Sequence, residues 1–282
     1  MAEAFDSETA PAKINLALHV RKRRADGYHE LETLFAFAKD GDELNVEAAP
    51  DISLSLTGPF AQSLAAEADN LVLRAAHRLA QASGVRAGAR MRLTKNLPIA
   101  SGIGGGSADA AAALRMLNRF WRLDWDVARL LPIAEELGAD VPACLVGKSC
   151  IGKGRGDALH LLDQTELSGT PLLLVNPLKP VSTAEIFARW DGTDRGPMPQ
   201  GSDRDILLQG RNDLQPMALA LVPEIADLLA ALETQAGEGM ARMSGSGATC
   251  FALLDSLYKR DQAAQHIARK FPGYWIFPTH VA

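Results

Sequence analysis

One segment constrains this chain more than any other: Gly102-Ile103-Gly104-Gly105-Gly106-Ser107, set between an alternating stretch and an alanine-rich one. Before it, Met91 and Leu93 alternate with Arg90, Arg92 and Lys95, the pattern of a strand. After it, 108–120 is rich in Ala, Leu and Met and predicts a helix. A helix N-terminus offers unpaired backbone N–H groups and the positive end of its dipole. Glycines let such a backbone approach a phosphate closely, because no Cβ intervenes. Ser107 stands where an N-cap is expected, with a hydroxyl able to reach a phosphate or a metal-bound water. A linker is the plain alternative for a Gly-Ser run, but a floppy linker has no purpose between two firm elements. A Walker A loop needs Gly-Lys-Ser/Thr, and Gly106-Ser107 lacks the lysine. A dinucleotide fingerprint needs glycine at position 107 and an acidic residue about 20 residues on, ending a second strand. Here that region, 121–125, follows a helix. The segment reads as a phosphate loop of neither kind.

The chain has 282 residues, enough for two domains. Its 29 Lys plus Arg stand against 34 Asp plus Glu, a net charge of -5, so a nucleic-acid partner is not expected. Cys144, Cys150 and Cys250 are widely spaced and form no Cys-x-x-Cys pair, which predicts buried free thiols rather than disulfides or structural zinc. Residues 1–10 hold Glu3, Asp6 and Glu8 and lack the apolar core of a signal peptide. No apolar run approaches the ~20 residues of a membrane span, so a cytoplasmic protein with no membrane partner is expected.

Apolar patterning predicts strands over 14–20, 43–48, 52–56, 172–175, 249–254 and 274–277. Helices are expected over 70–81, with Asp69 or Asn70 as N-cap, and over 126–137, 219–232 and 262–271. Gly138 is expected to close the 126–137 helix in the left-handed conformation. The stretch 191–210, rich in Gly, Pro, Asp and Ser, predicts a long loop. The basic run Arg21 to Arg24 leads into the turn signal Asp26-Gly27, and a second glycine loop covers 244–247. A shift in composition places a domain boundary near Asp163.

Pro98-x-x-x-Gly102-Ile103-Gly104-Gly105-Gly106-Ser107-Ala108-Asp109-Ala110 resembles the central motif of the GHMP kinases. These are the small-molecule kinases that include galactokinase, homoserine kinase, mevalonate kinase and phosphomevalonate kinase. Pro11-Ala12-Lys13-Ile14-Asn15-Leu16 is similar to their N-terminal motif, and Met243-Ser244-Gly245-Ser246-Gly247-Ala248-Thr249 to their third. The three motifs stand in the family's order and spread over most of the chain. Arg24-Ala25-Asp26-Gly27-Tyr28-His29-Glu30-Leu31 and Gly138-Ala139-Asp140-Val141-Pro142 are similar to segments of one branch. That branch phosphorylates the 2-hydroxyl of a cytidine diphosphate-linked methylerythritol, on the non-mevalonate route to isoprenoid precursors. Ile103 departs from the family's usual leucine, one apolar residue for another.

The resemblance implies an α+β fold of two domains with the active site in the cleft between them. The N-terminal half, 1–163, would be ribosomal-S5-domain-2-like and would bind ATP and carry the catalytic groups. The C-terminal half, 164–282, would be ferredoxin-like and would bind substrate. Asp140 is implied as general base, with the Lys13 ammonium keeping it ionised and favouring the developing alkoxide. Val141-Pro142 is expected to keep the chain beside Asp140 extended.

Pro98, Ile99, Ala100 and Ser101, the loop from Gly102 to Ser107, and Ala108 are the implied ATP contacts, with Asn70 and Lys95 near the adenine. On pattern alone, Asn70 reads equally as a helix cap and Lys95 as a surface lysine. Asn15, Tyr28, His29 and Phe187 are implied at the substrate. Tyr28 and Phe187 would stack on the cytosine ring, and His29 would hydrogen-bond its edge. On pattern alone Phe187 is a core residue. Ser244, Gly245, Ser246 and Gly247 offer backbone N–H groups to phosphates, or form a plain turn. ATP is the implied cofactor and Mg2+ is expected with it, held largely by phosphates and water. The same motifs fit a homoserine or mevalonate kinase, or a silent nucleotide-binding regulator. Tyr28-His29 and Phe187 suit a cytidine over an aliphatic substrate, and a silent protein needs neither Lys13 nor Asp140.

Overall fold

A computed structural model of the chain describes residues 5–65, 69–162, 165–237 and 239–282. The elements begin with β1 (Phe5–Arg23), β2 (His29–Ala49), β3 (Ile52–Thr57), α1 (Ala61–Ala65), α2 (Leu71–Ser83) and β4 (Gly88–Thr94). Next come α3 (Gly105–Phe120), α4 (Val127–Leu137), α5 (Val141–Val146), β5 (Cys150–Gly154), β6 (Ala158–Leu161), β7 (Pro171–Asn176) and α6 (Thr183–Ala188). The chain ends with α7 (Asp203–Gln209), α8 (Gln215–Leu221), α9 (Glu224–Ala236), β8 (Met240–Met243), β9 (Cys250–Leu253), α10 (Leu257–Lys270) and β10 (Trp275–His280). This mixture is the expected α+β fold, and it forms two compact units.

The first unit gathers the residues up to Ala12, Asp40–Ile99 and Gly104–Gly147. Here β3 runs parallel to β4, and β4 pairs antiparallel with the end of β2, from Glu43 opposite Thr94 to Ala49 opposite Gly88. Parallel neighbours need a crossover, and the chain between β3 and β4 supplies α1 and α2. Asn70 caps α2, its Oδ1 accepting from the Val72 N–H at 2.9 Å, as expected for an N-cap asparagine. Helix α3 lies against α2 and α5, and its run of alanines leaves room for that close contact.

The second unit gathers Lys13–Lys39, Ala100–Ile103 and Lys148–Ala282. In it the first part of β2 pairs with β5, which pairs with β6, all antiparallel. A separate antiparallel sheet has the order β10-β7-β9-β8. Leu173 and Val175 of β7 and Cys250 and Ala252 of β9 share one face by their two-residue period. They meet Ile225, Leu228 and Leu232 of α9 and Ile267 of α10 in one buried cluster. The three cysteines are buried free thiols, as expected, and burial pushes the Cys150 thiol up to about 11. The division at 163/164 falls on two residues outside those described. Among the described residues, no helix is long and apolar enough to cross a membrane.

Several expectations are corrected. Helix α3 starts at Gly105, so its N-cap is Gly104 and Ser107 lies inside the first turn. Gly138 follows α4 at φ 160 and ψ 158, extended rather than left-handed. Val141-Pro142 does not hold the chain extended: it opens α5, with proline in the first turn, where its missing N–H costs no helical bond. The 191–210 stretch is not all loop, because Ser202 and Asp205 form a capping box that starts α7. The helix expected over 219–232 is two helices, since α8 ends at Leu221 and Pro223 precedes α9.

Candidate active site

In the second unit, alternation along β1 puts Lys13 and Asn15 on one face of the strand. The Lys13 ammonium donates to Asn15 Oδ1 at 2.9 Å and stands 5.1 Å from the centre of the Phe35 ring. Asn15 Nδ2 donates to Thr33 Oγ1 at 2.8 Å, and the Thr33 hydroxyl donates to the Ala17 carbonyl at 2.7 Å. Both ends of the Asn15 amide therefore hold a partner, and the residue is buried.

The two glycine segments touch in the same unit. Ser244 Oγ donates to the Gly102 carbonyl at 2.9 Å and accepts from the Asn15 N–H at 3.1 Å. The Thr249 N–H donates to the Ser101 carbonyl at 3.1 Å. Gly102 has φ +77, and a Cβ there would stand 2.4 Å from the Ser244 carbonyl oxygen, so only glycine fits. Asn212 anchors the other side, its Nδ2 donating to the Met243 and Gly245 carbonyls at 2.8 and 2.9 Å. Ser246 pairs with the Thr183 hydroxyl at 2.9 Å, at the start of α6. Ala100 takes a φ of 50, unusual for a residue with a Cβ.

Helix α6, capped by Ser182, carries Phe187 toward His29. The His29 and Phe187 ring centres are 4.9 Å apart, and Trp190 meets the histidine edge-on at 5.5 Å. The ring is buried, yet its Nε2 has no hydrogen-bond partner among the described residues. Burial and then the charge of Arg23 lower the His29 pKa, which keeps the imidazole neutral at neutral pH. Tyr28 is exposed, with the Arg155 guanidinium 5.2 Å from its ring centre. Asp26 holds this corner: it accepts from the Tyr28 N–H at 3.1 Å and pairs with Arg24.

In the first unit, α3 presents its first turn without a side-chain cap, because Gly104 has no side chain to supply one. Gly106 is exposed, and Gly104, Gly105 and Ser107 are half-buried. Asp140 is half-buried at the N-cap position of α5. Arg115 of α3 secures that helix through the Cys144 carbonyl at 2.7 Å and pairs with Glu8. Lys95 is no surface lysine: it is 2% exposed and bonded to Asp42 at 2.5 Å and Asp109 at 2.7 Å. Its ammonium is committed to those two carboxylates.

Residues 70–148 match the family described as GHMP kinases N terminal domain, and 202–273 match GHMP kinases C terminal. The chain belongs to the GHMP kinase family. A 4-diphosphocytidyl-2-C-methyl-D-erythritol kinase of Rhizorhabdus wittichii is 51% identical over 271 residues, 95% of this chain and 92% of that one. Its namesake in Sphingopyxis alaskensis is 49% identical, over 95% of this chain and 96% of that one. A crystal structure of 4-(cytidine 5'-diphospho)-2C-methyl-D-erythritol kinase superposes with a TM-score of 0.81 at 33% identity, covering 98% of this chain and 99% of that one. A homoserine kinase from Cytophaga hutchinsonii shares the fold, with a TM-score of 0.73 at 19% identity over 100% of this chain and 96% of that one.

Three residues of this GHMP kinase that the sequence did not single out help to build these arrangements: Asp42 in the first unit, and Trp190 and Asn212 in the second. Their partners are distant in the chain, and no local pattern marks them. Asp109 makes a pH-dependent prediction. Burial pushes its carboxyl up to about 7, with Lys95 opposing the shift and Asp42 adding to it. A carboxyl raised on folding stabilises the fold below its unfolded value, and that contribution is lost as pH rises through the folded value. Asp109→Asn should therefore gain in Tm relative to the parent as pH rises from about 4 to about 8. Thermal melts would show it; a constant difference across the range would contradict it.

Proposed function

We propose that this GHMP kinase transfers the γ-phosphoryl group of ATP to the 2-hydroxyl of 4-diphosphocytidyl-2-C-methyl-D-erythritol. The observation that carries the substrate is His29, a neutral imidazole against Phe187 and Trp190 whose buried Nε2 has no partner among the described residues. An aromatic wall and one ring nitrogen suit a flat base recognised by its face and edge. An aliphatic acceptor such as homoserine has no use for them. The names of the relatives support the same substrate.

Asp140 accepts the hydroxyl proton as that oxygen attacks the γ-phosphorus. The bond from phosphorus to the bridging oxygen breaks, and ADP leaves. Lys13, oriented by Asn15, favours the charge that develops on the attacking oxygen. The uncapped N–H groups of Gly105, Gly106 and Ser107 bind the phosphates, and the turn at 244–247 supplies further N–H donors. Asn70 caps α2 through its Oδ1, and its Nδ2 is a donor suited to the adenine edge. Mg2+ supplies charge neutralisation across the phosphates when bound. The ion would be held largely by phosphate and water, with the Ser107 hydroxyl as a protein candidate.

Purified protein with Mg-ATP, offered the diphosphocytidyl substrate, homoserine and mevalonate separately, tests the reading. ADP release with the first alone is expected. Release with either other acceptor, or with none, would overturn it.

A further inference from the structure

The ion cluster beneath the first turn of α3 takes no part in the chemistry above. Asp42, Lys95 and Asp109 come from β2, the end of β4 and α3, and none is more than 2% exposed. Lys95 Nζ donates to Oδ2 of both aspartates. Asp42 Oδ1 accepts from the Asn96 and Leu97 N–H groups at 2.6 and 2.8 Å, where the chain leaves β4 for the glycine segment. Asn96 Nδ2 closes the ring of contacts on the Gly41 carbonyl at 3.1 Å. The ammonium lies directly against the turn: a Cβ on Gly105 would stand 3.1 Å from Nζ.

Apolar side chains would fill such a space at no loss of stability, and often with a gain. Asp109 moreover leaves its Oδ1 buried without a partner among the described residues, a cost that a purely stabilising residue would not carry. Burial also raises its carboxyl pKa, with Lys95 opposing the shift and Asp42 adding to it.

We propose that Asp42, Lys95 and Asp109 are positioning residues that lock the first turn of α3 to the end of β4 and so set the affinity for nucleotide phosphates. The affinity half of this rests on the ATP-binding reading above; the locking half does not. Both are tested with Asp109→Ala and Asp109→Asn, at a temperature where circular dichroism shows each variant folded. Amide exchange in the peptide covering 104–112 and the dissociation constant of a non-hydrolysable ATP analogue are the readouts.

Asp109→Ala should speed exchange about tenfold or more and weaken the analogue by a similar factor. Asp109→Asn keeps an acceptor for Lys95 and should stay within about threefold of the parent in both. The dissociation constant of the diphosphocytidyl substrate should move less than about twofold, which a general loss of structure would not respect. Should Asp109→Ala fail to fold, Lys95→Arg keeps the charge, cannot fit beneath Gly105, and is expected to act in the same direction. Unchanged exchange at 104–112 in a folded variant would overturn the lock. Faster exchange with unchanged analogue affinity would overturn its link to the nucleotide. A parent protein that binds no analogue would sink the ATP-binding reading, and exchange would still decide the lock.

Discussion

Lys95→Met should lower folding stability by about 3–5 kcal/mol, the scale for removing one partner of a buried ion cluster. The methionine fills most of the space but leaves Asp42 and Asp109 facing each other without a cation, both almost fully buried. Asp42 would keep its two backbone donors, while Asp109 would lose its ammonium partner. The loss should therefore be recovered in part by Lys95→Met with Asp109→Asn, which removes one of the two opposed carboxylates. Denaturant titrations of the parent, both single variants and the double variant measure this coupling. A Lys95→Met loss below about 1 kcal/mol would mean that the cluster behaves like an exposed ion pair.

Asp140→Asn should lower kcat by on the order of 10²-fold or more, the usual effect of losing a general base. The substitution removes no side-chain cap from α5, because Asp140 makes none, and Arg115 still holds that helix through the Cys144 carbonyl. The loss should fall on the chemical step, with the affinity for an ATP analogue close to that of the parent. Steady-state kinetics with analogue binding and a thermal melt separate these effects. Near-parental kcat would remove Asp140 from the role of base.

The elements the sequence revealed were those whose side chains follow one local rule. The alanine run of α3 and the alternation of β4 needed no distant partner to be recognised. Boundaries failed where tertiary contacts overrule propensity. Gly105 and Gly106 are poor helix formers, yet they extend α3 toward its N-terminus. Strand β1 runs through Pro11 from Phe5 to Arg23, well beyond the apolar run that marked it. Helix α7 was masked by the Gly and Pro around it, although Ser202 and Asp205 carried the spacing of a capping box.

At the site, motif residues such as Lys13, Gly102 and Ser244 were legible, and the structure brings their backbones and side chains together. The burial of Lys95 was not, because a lysine at a strand end ordinarily faces water. Only the fold sets it against Asp42 and Asp109. Trp190 was invisible for the same reason: nothing near it in sequence places it on the edge of His29.

The central claim is transfer of the γ-phosphoryl group to one particular hydroxyl. A single turnover with ATP labelled in that group, followed by phosphorus NMR and mass analysis of the acceptor, tests it most directly. The account predicts one labelled monophosphate ester on the 2-oxygen of the methylerythritol unit, with the cytidine diphosphate intact. Label in inorganic phosphate, or on any other oxygen of the acceptor, would contradict it.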